Sequence, residues 1–215
     1  TPDLHTFIAS SAASDVYKRQ HEDCYMCNVD SRISTYMKGQ CVSFRKTKET
    51  FGGLSNMCSG FPIVVGNHGF LTSEHLYQVC RFNEHRDIQK IVQNEKSPMG
   101  SKMKSKKYIS YTRRDWSDVR VDIMDWCIRM KLKCNWRKFG SLLLSTGEMD
   151  IVEDSYKDGF WGCVSDTNDR FVGSNVLGKL LMNLRDELRG DLIDQDHLNF
   201  TCIEDLKLFG ESVDF

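Results

Sequence analysis

"FPIVVGNHGFLTSEHLYQVCRF", residues 61–82, decides the fold. The β-branched run Ile63, Val64 and Val65 meets "GNHG", and Phe70 and Leu71 follow it. Apolar residues on both sides of a Gly-Asn pair read as a β-hairpin. The pattern then changes. Ser73 is a good N-cap, and Leu76, Val79, Cys80 and Phe82 recur at helical spacing. A small β element therefore hands over to helix within this stretch.

Upstream, "CVSFRK" (41–46) is a further β-rich piece, and downstream the helical patterns dominate. Asp115 can cap a helix through "WSDVRVDIMDWCIRMKLK", with Val119, Ile123, Trp126, Cys127 and Met130 three and four apart. "KFGSLLLSTG" reads as a shorter helix stopping at Gly147. Ser174 or Asn175 can cap "VLGKLLMNLRDELRG", with Leu177, Leu180, Leu181, Leu184 and Leu188 on its buried side and Gly190 as its stop. The expected fold is mainly α with a small β element, in a single compact domain.

The 215 residues, 40% apolar and 27% charged, suit one globular domain with tails. The domain is expected over residues 41–190. Residues 1–40 read as a poorly patterned N-terminal extension, whose "SSAASDVYKRQ" resembles translated adapter sequence. Residues 191–215 read as an acidic C-terminal tail. No run reaches the ~18 apolar residues of a membrane span. Nine cysteines, mostly beside apolar residues, read as reduced thiols, so a soluble cytoplasmic protein without membrane contact is expected. Cys24 and Cys27 with His21 make half a zinc site at best, and no metal is expected. The net charge of −1 argues neither for nor against an anionic partner. Charge is segregated locally, however. Lys96, Lys102, Lys104, Lys106, Lys107, Arg113 and Arg114 fall within residues 96–114 without an acidic residue. Such a stretch grips phosphates or is a solvated basic loop.

Several side chains can carry chemistry. Glu74 would occupy the first turn of its helix, where the dipole favours a carboxylate; most such residues only improve a helix end. Lys131 lies two turns after Met124 on the same helix face. It either snorkels to water or is desolvated into a nucleophilic amine. "EDSYKDGFWG" reads as a loop in which Trp161 can stack on a base or plug the core edge. The amides of "GSNVLG" can hold a phosphate, although no P-loop or dinucleotide fingerprint is present. No GxSxG, HExxH or paired CxxC motif appears.

Six segments in order, "FGGLSNM", "LTSEHLYQVCRF", "TRRDWSDVRVDIM", "MKLKCN", "LLLSTGEMDIVEDSYKDGFWG" and "GSNVLGKLLMNLR", resemble the NADAR (YbiA-like) family over about residues 41–190. Two departures are mild: Leu132 stands where the family has Phe after Lys131, and Cys134 where it has Gln. No cofactor is expected, since the sequence shows no metal cluster. The resemblance implies an N-glycosidase that cleaves ribosyl–nitrogen bonds. Its implied substrates are phosphorylated ribosylaminopyrimidine intermediates of riboflavin synthesis, or ADP-ribose attached to guanine in nucleic acid, including ADP-ribosylated DNA. It assigns catalysis to Glu74, Lys131 and Asp158, and substrate binding to Asn56, Arg113, Trp116, Trp161, Gly162 and Asn175. Carboxylates would stabilise the oxocarbenium that develops at C1. Lys131 would attack C1 as a neutral amine, or water would attack directly. The competing reading is a non-catalytic module that binds ADP-ribose or nucleic acid.

Overall fold

The computed structural model describes residues 29–213. Cys24, Cys27 and His21 lie outside them. Strands β1 (Ser34–Met37) and β2 (Cys41–Phe44) come first, then the hairpin β3 (Ile63–Val65) and β4 (His68–Phe70). Helices α1 (Ser73–Cys80), α2 (Arg86–Gln93), α3 (Pro98–Lys107), α4 (Trp116–Cys134) and α5 (Trp136–Leu144) follow. Strands β5 (Asp150–Ser155), β6 (Cys163–Ser165) and β7 (Arg170–Gly173) lead into α6 (Val176–Arg189), and a last hairpin pairs β8 (Lys207–Leu208) with β9 (Glu211–Ser212).

The expectation of a mainly α domain is corrected. Five strands form one mixed sheet in the order β1-β7-β6-β5-β2, so the domain is α/β in character. β5 runs parallel to both β2 and β6, while β7 is antiparallel to β6 and β1. Strands β1, β5, β6 and β7 escape notice because they are short and their sheet is covered on both faces at the centre. In β5 the adjacent Ile151 and Val152 are both fully buried, each on its own face. Ile151 joins the main core, and Val152 joins a second cluster with Tyr36, Cys163 and Phe171. An apolar pair replaces the alternation that marks a half-exposed strand.

α6 lies against β5. Gly178 permits this approach, since a Cβ there would collide with the Ile151 carbonyl. α1 is buried along its whole length among α2, α3 and α4, which is why it can carry polar groups into the interior. Its N-cap is Thr72, not Ser73: the Thr72 hydroxyl accepts the His75 amide, and Ser73 becomes the first helical residue. The "GNHG" hairpin and the Gly190 stop occur as expected.

Both flanking segments contribute to the described structure. β1 is an edge strand of the sheet, and Ile193, Leu198, Ile203, Leu206, Leu208 and Phe209 are buried in the main core. Gln89 of α2 pins the last hairpin by donating to the Lys207 carbonyl and accepting from the Phe209 amide. Among the described residues seven cysteines are free thiols, and no helix is long and apolar enough to cross a membrane.

Candidate active site

Glu74, Tyr77, Gln78 and Arg81 fall at i, i+3, i+4 and i+7 of α1, so all four share one face. That face lines a cavity of about 280 Å³. α4 supplies the next wall through Trp116, Arg120 and Met124, one helical turn apart. β5 adds Glu153 and Ser155, which point the same way because strand residues alternate. Asp158 and Trp161 enter from the β5–β6 connection, Ser55 and Asn56 from the loop before β3, and Lys102 from α3.

Three carboxyl groups therefore meet, each held differently. Glu74 is buried, and Gln78 Nε2 donates to its Oε1 at 2.9 Å. Ser105 Oγ fixes the far end of Gln78 by donating to its Oε1 at 2.5 Å. Burial raises the Glu74 pKa, while Lys102, the Gln78 bond and Arg81 pull it back. Asp158 Oδ1 accepts the amides of Phe160 and Trp161 at 3.0 and 2.9 Å, and its own amide donates to Ser155 Oγ. This closes the loop that presents Trp161. Glu153 has its backbone amide bound to Asn175 Oδ1 at 3.2 Å. Desolvation, then the charges of Asp158 and Glu74, push its carboxyl up to about 7.

Aromatic rings close the cavity. The Tyr77 ring lies 5.1 Å from Trp116 and 5.7 Å, edge-on, from Trp161. Burial raises the Tyr77 phenol well above its ordinary value, so it stays protonated. Two guanidiniums are held by ring faces: Arg81 stands 5.0 Å over Trp116 and Arg120 stands 4.0 Å over Phe160. With Lys102 they give the pocket three cations.

Of the residues assigned from sequence, Glu74, Asp158, Asn56, Trp116 and Trp161 converge on this cavity. Four stand elsewhere. Lys131 is 1% exposed and sits behind the wall, donating to the Gly53 and Ser55 carbonyls at 2.6 and 3.1 Å. Its burial pushes the amine down to about 7, although the carbonyls and the Phe61 and Phe139 rings favour the charged form. Arg113 lies in a separate surface cleft, paired through two nitrogens with Asp115 at 2.6 and 2.7 Å. Gly162 acts by having no side chain: a Cβ would strike the Glu153 carbonyl. Asn175, at φ 52°, ties the start of α6 to β5 by donating to the Ile151 carbonyl at 2.8 Å.

Glu153, Arg81 and Arg120 complete the pocket and escaped the sequence reading. Arg81 continues the i, i+3, i+4, i+7 stripe from Glu74, and Arg120 follows Trp116 by one turn, so both left a signal. Glu153 left none while its strand read as a loop.

The fold and the site define an α/β domain with a small polar cavity walled by carboxylates, indoles and guanidiniums. The NADAR domain model matches residues 43–189, and the chain belongs to the NADAR domain family. N-glycosidase YbiA of Shigella boydii is 30% identical over 157 residues, spanning 73% of this chain and 94% of that protein. A riboflavin biosynthesis protein of Vibrio vulnificus is 32% identical over 167 residues, and this chain spans only 41% of its length. The NMR structure of Escherichia coli YbiA aligns with a TM-score of 0.60 at 26% identity, covering 76% of this chain and 95% of that one. Relatives named N-glycosidase, matched over most of their length, make the chain a glycosidase-type hydrolase.

Proposed function

We propose that the chain hydrolyses a ribosyl–nitrogen bond in a phosphorylated ribosyl substrate. The meeting of Glu74, Glu153 and Asp158 in one aromatic-walled cavity carries this reading. Breaking a ribosyl C1–N bond leaves positive charge on the sugar, which carboxylates stabilise in a water-poor site. Trp116 and Trp161 offer faces for the ribose or the departing heterocycle. Lys102, Arg81 and Arg120 offer charge to the phosphate.

Cavity size favours a small substrate. About 280 Å³ lies just below the ~300–1,000 Å³ range of ligand pockets. It suits one ribosyl unit with one heterocycle better than a whole ADP-ribosyl group. A phosphorylated ribosylaminopyrimidine has that size, and two similar proteins are named for riboflavin biosynthesis. ADP-ribosyl-guanine in nucleic acid is the second reading, supported by the exposed Lys96, Lys106, Lys107 and Arg114 around α3.

Water is the attacking group in our reading, and Lys131 positions the loop that carries Ser55 and Asn56. A covalent route would need the Lys131 amine to leave both carbonyls. Borohydride added during turnover tests this: a reduced adduct on Lys131 would establish the covalent route. For the function itself, wild type and Glu74→Gln are compared on the ribosylaminopyrimidine phosphate and on an ADP-ribosyl-guanine oligonucleotide, with the freed sugar followed by chromatography. Release by wild type and its loss in Glu74→Gln are expected. Binding without release by wild type would mark a recognition module instead.

A further inference from the structure

We propose that Glu153 is the general acid of the reaction, giving its proton to the nitrogen as the C1–N bond breaks. This rests on the glycosidase reading above.

The three pocket carboxyls divide the labour by their commitments. Glu74 takes a hydrogen bond from Gln78 at the start of α1; burial raises its carboxyl, and Lys102, this bond and Arg81 oppose the rise. Asp158 is occupied by two backbone amides. Glu153 is the pocket carboxyl for which no hydrogen bond to a described residue is found, so it is free to engage a ligand.

Its backbone, in contrast, is locked. It pairs with Phe44 in the β2–β5 register, its amide is held by Asn175, and its carbonyl packs against Gly162. A rigid strand thus delivers an uncommitted carboxyl to the pocket wall. Glu74 reaches it from α1 and Asp158 from the β5–β6 connection, and both negative charges favour a proton on Glu153; Lys102 from α3 opposes them. Arg81 and Arg120 line the same cavity. Burial first, and these charges second, lift Glu153 to about 7, where a group can both give and recover a proton near neutral pH.

The step balances. The C1–N electron pair leaves with the nitrogen, and the Glu153 proton forms the new N–H bond. The positive charge at C1 faces Glu74. The oxygen of water bonds to C1, and the proton it loses passes to the Glu153 carboxylate, restoring the acid.

A general acid matters in proportion to how poor the leaving group is. The test compares wild type and Glu153→Gln on phosphoribosylaminopyrimidines whose ring substituents grade the basicity of the departing nitrogen. Glu153→Gln is expected to lose about 10²–10⁴-fold in kcat/KM with the most basic leaving group and little with the least basic. A uniform loss across the series, or no loss, would overturn the proposal. Release of none of the series by wild type would end the glycosidase reading and this proposal with it. Should Glu153→Gln fail to fold, the wild-type pH profile decides. Rates with the most basic leaving group should fall above pH ~7 while those with the least basic stay flat; two identical profiles would overturn the assignment.

Discussion

Lys131→Met removes a buried amine and replaces no pocket-lining residue. The wild-type amine is 1% exposed, and burial lowers its pKa from 10.5 to about 7. Between those two values the unfolded chain holds a proton that the folded chain lacks, so wild-type stability rises with pH across that window. Below pH 7 both states are protonated and the burial cost is complete. A fall from 10.5 to about 7 corresponds to about 5 kcal/mol at about 1.4 kcal/mol per pH unit. This is an upper limit, because the Gly53 and Ser55 carbonyls solvate the ammonium. Methionine is uncharged and of similar length, so the variant lacks this dependence. Urea unfolding at pH 7 and pH 9 measures the difference. Wild type should gain about 2 kcal/mol on the variant between the two, the rest of the titration window lying above pH 9. Glu153, also shifted, titrates in both proteins and cancels. Parallel stability–pH curves for the two proteins would refute the depressed amine. With it would go the physical basis for a neutral, nucleophilic Lys131, while its hydrogen bonds to the loop carbonyls would stand.

Gly162→Ala should cost about 1–3 kcal/mol and lower kcat/KM, because the new Cβ displaces the Glu153 carbonyl; thermal unfolding and kinetics check both effects. Arg129→Met should cost about 3–5 kcal/mol in urea, since Asp125 and Glu187 lose a guanidinium that bonds both within 2.8 Å. Its activity per folded molecule should be unchanged, as this network stands apart from the pocket lining. Arg113→Ala should leave kcat/KM for the ribosylaminopyrimidine phosphate at the wild-type value and cost about 1–2 kcal/mol of stability, because Arg113 holds Asp115 and the Glu204 carbonyl in another cleft.

How legible was the site in the sequence? Helical periodicity carries α1, α4 and α6 plainly, and the α1 stripe from Glu74 to Arg81 can be read without coordinates. Apart from β2 and the β3–β4 hairpin, the strands were not legible. β5 is a buried apolar pair followed by acidic residues, β6 has three residues, and β1 lies where the sequence reads as unpatterned extension. That error propagated: a loop at 153–162 has no inward face, so Glu153 was passed over beside Asp158. Lys131 was correctly read as lying on a core face, but helical spacing fixes direction and not depth, and its amine ends behind the wall. Arg113 and Arg120 are both arginines near Trp116; Arg120, one turn into α4, faces the pocket, while Arg113 precedes the helix and lies in another cleft.

The parallel pairing of β5 with β2 joins Cys41 to Asp150, two residues near opposite ends of the domain. Parallel neighbours of such sequence separation form late, because the whole intervening chain must be gathered before their bonds reward the loss of freedom. The helices α2, α3 and α4 that wall α1 are complete before residue 135, so Glu74 has its packing partners while Glu153 arrives only with β5. A nascent chain released before β5 would carry one wall of the pocket without the other. Binding competence should therefore appear in refolding kinetics only with the slowest phase, well after helical signal is complete.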